Sequence, residues 1–125
     1  MEYSNIDLLH RALDASNLRQ ETVSSNIANV NTPGYKAKRV EFESLLKEAM
    51  DGTGLQRTNE RHFGVSGASD VTATVKEQDG NMVGDDGNNV AIDTEMAELS
   101  ANSIYYQALI SQTSAQYSML RSVLR

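Results

Sequence analysis

The sequence predicts a mainly α-helical chain. Two long terminal helices pack antiparallel in a coiled-coil-like arrangement, with a short third helix and a Gly-rich middle segment holding at most a small β-hairpin. Two observations carry this expectation. Near both ends, apolar residues recur at spacings of three and four. Between Gly52 and Gly87 lie seven of the eight glycines and none of the five tyrosines. The chain thus divides into an N-terminal helix and turn (1–34), an extended segment and short helix (35–50), a flexible Gly/Asp/Asn-rich middle (51–90) and a C-terminal helix (91–125).

The first helix is expected to start near Ser4 or Asn5, both good caps. Ile6, Leu9, Leu13, Ser16, Gln20, Val23, Ile27 and Val30 form its stripe, six of the eight apolar. It ends at Asn31-Thr32-Pro33-Gly34. Pro33 forces Thr32 out of the helical region, and Gly34 can take positive φ as the third residue of a type II turn. Tyr35 to Val40 reads as extended, and Val40 to Met50 as a short helix with Phe42, Leu45, Leu46 and Ala49 inward. Val71, Ala73 and Val75 alternate with polar residues as a short strand, which Asp79-Gly80 could turn back toward Met82-Val83. The last helix is expected from Asp93 or Thr94. Its stripe is Ile92, Met96, Leu99, Ser103, Tyr106, Ile110, Thr113, Tyr117, Leu120 and Leu124. A second apolar line runs through Ala101, Tyr105, Ala108, Ala115, Met119 and Val123. Neither long helix can bury its stripe alone, so each needs the other and a further surface.

Composition narrows the function classes. The 125 residues carry a net charge of −6 and include no Trp and only two Phe, few large anchors for a core. No apolar run is long enough to cross a membrane, and no basic start followed by an apolar run marks a signal peptide. The absence of Cys excludes disulfides and thiol chemistry. The acidic balance disfavours nucleic-acid binding. His10 and His62 lack partners at metal-site spacing. Gly64-Val65-Ser66-Gly67-Ala68 is a loop rather than a nucleophile elbow, and Asp79 to Asn89 fits no calcium-loop frame. The acids are spread singly, so no catalytic constellation, cofactor site or metal site is expected, and the chain reads as a non-enzyme.

One physical anomaly stands out. From Leu99 to Leu120 there is no charged residue, and ten of the 22 positions are Ser, Thr, Asn or Gln. A helix surrounded by other protein suits this pattern, because no charge then needs desolvation. A Ser/Gln-rich solvated face is the alternative.

At Ser25-Asn26-Ile27-Ala28-Asn29-Val30-Asn31-Thr32-Pro33-Gly34-Tyr35-Lys36 the sequence resembles the signature of the axial proteins of the bacterial flagellar rod and hook. Lys36 to Phe42, the small size, and Ile92-Asp93-Thr94-Glu95-Met96-Ala97-Glu98-Leu99 with Tyr106-Gln107-Ala108-Leu109 and Ser118 to Val123 look most like a proximal rod protein. The resemblance implies an assembly motif at Asn26, Ala28, Asn29, Asn31, Thr32, Pro33, Gly34 and Tyr35. It implies a structural subunit that polymerises through its terminal helices into the tubular drive shaft joining the membrane ring to the distal rod and hook. The packing residues would be Ile6, Leu9, Leu13, Val23, Ile27, Val30, Met96, Leu99, Tyr106, Ile110, Tyr117, Leu120 and Leu124. Partners would be copies of itself, other rod proteins, membrane-ring and rod-adaptor proteins at the rod base, and the flagellar type III export gate. Nucleic acid and direct membrane insertion are not expected. Phe42 and Leu46 resemble an export-gate recognition motif, and equally suit one face of a short helix. The implied location is the rod in the periplasmic space, after synthesis in the cytoplasm and export without a cleaved signal peptide. The alternatives are a cytoplasmic helical export chaperone or adaptor, or the sister proximal rod protein.

Overall fold

The computed structural model describes residues 2–50, 71–80 and 85–124. Its elements in chain order are α1 (Glu2–Ala28), β1 (Lys38–Glu41), α2 (Glu43–Met50), β2 (Thr74–Glu77) and α3 (Ile92–Val123). The 27 residues of α1 and 32 of α3 correspond to roughly 40 and 48 Å of helix. The two helices run antiparallel: Ser16 meets Asn102, Asn26 meets Glu95, and His10 lies beside Tyr117. Both begin slightly earlier than the capping residues suggest, α1 at Glu2 and α3 at Ile92. In α3 the carbonyl of Ala91 already accepts the Glu95 N–H at 3.0 Å.

The chain leaves α1 through a turn in which Tyr35 N–H reaches the Thr32 carbonyl at 3.2 Å and Gly34 has φ of 73°. That is the turn expected from Pro33-Gly34. The extended stretch then forms β1 on the flank of α1.

The strand pairing differs from the expected hairpin. β2 pairs with β1, antiparallel, with Val40 opposite Val75 and Glu41 opposite Thr74. Met82 and Val83 lie outside the described residues. β1 is the better partner because it is already fixed against α1. Gln78 N–H extends the ladder to the Ala37 carbonyl at 2.8 Å, and Lys76 pairs with Glu41 across it.

The core sits where α1, α2, α3 and the segment before β2 converge. Ala12, Ala15, Phe42, Val71 and Leu109 are buried together, with Leu8, Leu9, Leu13, Leu45, Leu46, Ala49 and Ala73 packed around them. Phe42 is the largest of these, only 2% exposed, and it enters between small residues of α1. Arg19 Nη2 donates to both carboxylate oxygens of Glu43 at 2.8 and 2.7 Å, an exposed link between α1 and the start of α2. Arg11 reaches the Val71 carbonyl at 3.3 Å and ties the segment before β2 to the same helix. Residues 71–80 and 85–90 of the Gly-rich middle are therefore built into the fold.

Candidate functional site

Two surfaces contain the residues singled out in the sequence: the junction after α1, and the faces of α3 turned away from α1.

At the junction, Asn26 is fully buried and uses every polar atom it has. Its Nδ2 donates to the Lys38 carbonyl at 2.9 Å and to Glu95 Oε2 at 3.0 Å. Its Oδ1 accepts the Lys38 N–H at 2.9 Å and the Tyr35 hydroxyl at 3.3 Å. One amide side chain thus serves as a strand partner for Lys38. Glu95 is 1% exposed, and Arg39 neutralises it with two parallel hydrogen bonds of 2.9 and 2.6 Å. A buried carboxylate is tolerable only with such partners. This network joins α1, β1 and α3 at one point.

The rest of the motif is held from the other side. Asn29 donates to the Ser25 carbonyl at 2.8 Å and accepts the Thr32 hydroxyl at 3.1 Å. Gly34 N–H donates to the Asp86 carbonyl at 3.0 Å. Ala28, Asn31, Thr32, Pro33 and Gly34 are exposed, and Tyr35 is half-buried. Asn88, which the sequence reading treated only as part of a turn, is the second hub. Its Nδ2 lies 2.9 to 3.0 Å from the carbonyls of Asn29, Val30 and Thr32, tying the turn after α1 to the segment that leads into α3. Its neighbour Asn89 accepts the Ala37 N–H at 2.6 Å and donates to the Gln78 carbonyl at 2.7 Å. The signal that could have found this pair was Asn88-Asn89 directly before an apolar helix start, where short amides bridge backbone groups.

On α1, Ile6 and Val23 are buried, while Leu9, Leu13 and Ile27, with Val30 just past its end, are half-buried. On α3, Leu99, Tyr106 and Leu120 are half-buried, whereas Met96, Ile110, Tyr117 and Leu124 are exposed. The buried residues of α3 are Glu95, Asn102 and Leu109. Asn102 accepts the Ser16 hydroxyl at 2.9 Å and donates to the Ser16 carbonyl at 3.0 Å and Gln20 Oε1 at 3.1 Å. The face toward α1 is thus rotated from the most apolar line, because polar pairs on the two helices satisfy each other there. Periodicity scores Glu95, Asn102 and Arg39 as surface, and nothing in the sequence indicates which groups they pair with.

Tyr105 stands near the Arg19–Glu43 pair. Burial, then the Glu43 carboxylate, pushes its phenol above the usual value, and Arg19 partly opposes this. His10 Nε2 lies 3.1 Å from the Tyr117 hydroxyl, an exposed contact. Among the described residues no group of His, Asp and Glu could hold a metal ion, and no helix is long and apolar enough to cross a membrane. His62 and the Gly64–Ala68 loop lie outside the described residues. Phe42 and Leu46 both turn toward the core, the first fully and the second partly.

The second surface is large. Among the described residues eleven large apolar side chains are exposed, and nine lie on α3 or at its end, including Ile92, Met96, Ile104, Ile110, Tyr117 and Met119. No charged residue interrupts this surface from Leu99 to Leu120.

Comparison with known proteins agrees with this geometry. Residues 6–36, which span α1 and its turn, match the family model described as flagella basal body rod protein. The chain is 36% identical to the flagellar basal body rod protein FlgB of Bacillus subtilis over 119 residues, covering 95% of this chain and 92% of that protein. It is 34% identical to FlgB of Escherichia coli over 121 residues, covering 91% and 88%. It is 37% identical to FlgB of Borrelia hermsii over 110 residues, covering 82% of each. With the terminal helices, the turn and nearly the whole length shared, the chain belongs to the FlgB family of flagellar basal body rod proteins.

Proposed function

We propose that this chain is a structural, non-catalytic subunit of the proximal rod, and that it polymerises through α1 and α3 with copies of itself and other rod proteins. The observation that carries this reading is the apolar, uncharged outer surface of α3. A free monomer gains nothing from it, while a tube of packed helices buries it on every subunit. The family's rod proteins support this reading over a helical export chaperone. The rod would act as the drive shaft between the membrane ring and the distal rod and hook, in the periplasmic space. Membrane-ring and adaptor proteins would contact its base. The chain would leave the cytoplasm through the flagellar export gate without a cleaved signal. Phe42 is 2% exposed in the fold, so a gate that reads Phe42 and Leu46 must meet the chain before it folds.

The test places a charge on the outer surface. Gln112 is exposed on α3. In the monomer Gln112→Glu changes stability by less than about 0.5 kcal/mol. In a packed tube the same carboxylate is desolvated without a partner, at a cost of several kcal/mol per subunit. The variant is expected to be made and exported but to form no rod, while the control Gln78→Glu forms rods normally. Normal rods with Gln112→Glu would show that this face stays wet.

A further inference from the structure

The face that α3 presents to α1 is not its most apolar one. Every α3 residue that is not exposed falls on one of two lines at heptad spacing: Leu99, Tyr106, Thr113 and Leu120, or Glu95, Asn102, Leu109 and Gln116. Only one of the four residues in the second line is apolar. The adjacent line, one residue further along, is Met96, Ser103, Ile110 and Tyr117, all exposed, and three of these four are apolar. At about 100° per residue, turning α3 by roughly 50° about its axis would keep the first line at the seam and exchange the second for this more apolar one. Hydrophobic burial alone favours the turned arrangement.

We propose that the polar side chains of the seam are a register lock. They hold α3 in the less apolar orientation and so keep Met96 and Ile110 outward, with Tyr117 at the exposed rim of the seam beside His10. The lock has two anchors. The first is Glu95, seated on Asn26 and on both terminal nitrogens of Arg39. The second is Asn102, seated on the hydroxyl and carbonyl of Ser16 and on Gln20. Among the described residues no buried side-chain nitrogen or oxygen lacks a partner, so the observed orientation is fully satisfied. Turning α3 would carry Glu95 and Asn102 off these partners and leave Asn26 and Ser16 facing apolar side chains. The penalty for breaking such pairs is what selects the register, as a single buried Asn does in coiled coils. That the outward line then serves assembly rests on the rod-subunit reading; the lock itself does not.

The chain contains no Cys, so a single introduced thiol reports its own position. Leu109→Cys and Ile110→Cys are compared for the rate of alkylation under native conditions, each relative to its rate in denaturant. In the otherwise unchanged chain Ile110→Cys should react at least about tenfold faster than Leu109→Cys, since only the latter needs an opening event. With the second anchor removed (Ser16→Ala and Asn102→Leu) that ratio should fall toward one. With Glu95→Leu added, the order should reverse.

Equal rates in the parent chain, or an unchanged ratio in both altered backgrounds, would overturn the lock. If the threefold variant loses its helical circular dichroism, the twofold variant decides. It keeps the Arg39–Glu95 pair and, apart from the thiol at 109 in the Leu109→Cys chain, the apolar core. Rod formation is scored in the same variants. Reversed labelling with normal rods supports the lock and overturns the assembly role of the outward line. Unchanged labelling with lost rods overturns the lock and leaves the rod reading standing.

Discussion

Asn26 shows how much a single side chain can hold. Its amide replaces the strand partner that Lys38 would otherwise need, and it also seats Glu95 and the Tyr35 hydroxyl. Asn26→Ala leaves the half-buried Lys38 N–H without that partner and its carbonyl with only Arg39 Nη1, and it removes a hydrogen bond from Glu95 and from the Tyr35 hydroxyl. A loss of about 2–4 kcal/mol is expected, because each orphaned group adds its own desolvation cost. Urea unfolding of the purified variant measures it. Gly34 is a different case. A Cβ there would meet nothing within 4 Å, so space is available and only the backbone angle, φ of 73°, resists substitution. Gly34→Val should therefore cost about 1–3 kcal/mol by strain, while Gly34→Asn, which tolerates positive φ, should recover most of it. The paired melting temperatures check this. Gly34 was legible in the sequence because Pro33-Gly34 encodes a local geometry. Asn26 was legible only through a family motif. Its partners lie 12 and 69 residues away, and nothing local in an Asn side chain says which distant groups it will meet.

At the scale of elements, the positions of all three helices could be read from periodicity, while the orientation of α3 about its axis could not. Apolar residues lie on more than one face of α3, so the expected face through Met96 and Ile110 competes with the observed one through Asn102 and Leu109. The choice between them was made by polar contacts with α1 that no spacing rule weighs. The strand was legible in part. Val71, Ala73 and Val75 announced a strand, which forms at Thr74–Glu77, but nothing local in the sequence named β1 as its partner. The distribution of buried residues along α3 sets its dynamics. Glu95, Asn102 and Leu109 are buried, and beyond Leu109 every residue is exposed or half-buried. Amide exchange on dilute monomer should show strong protection near 99–109 and progressively weaker protection through 114–123. Uniform protection to the end of the helix would contradict this.

For the whole molecule, one small core binds every helix. Leu109 from α3 meets Ala12 and Ala15 of α1, Phe42 at the head of α2, and Val71 before β2. With so few buried anchors, the loss of one is felt everywhere. Leu109→Ala should cost about 2–5 kcal/mol, a large share of the 5–15 kcal/mol typical of a domain. Exchange protection should then fall together in α1, α2 and the first half of α3 rather than in α3 alone. Assembly should offset part of the loss, since partners that bind only the folded chain raise its apparent stability. The melting temperature of rod material should accordingly fall less than that of the monomer.

The distribution of anchors along α3 also has a mechanical consequence. Val123 lies 14 residues past Leu109, which is roughly 21 Å of helix. That distal half is a cantilever, clamped at its root by Glu95, Asn102 and Leu109 and resting on α1 only through half-buried side chains and the exposed Tyr117–His10 contact. A tilt of about 5° at the root, small beside the ordinary curvature of long helices, displaces the tip by about 2 Å. Subunits of a rod that assembles with other rod components do not all have identical neighbours. A stiff root with a compliant tip lets each copy keep its own fold while its free end follows whichever neighbour it meets.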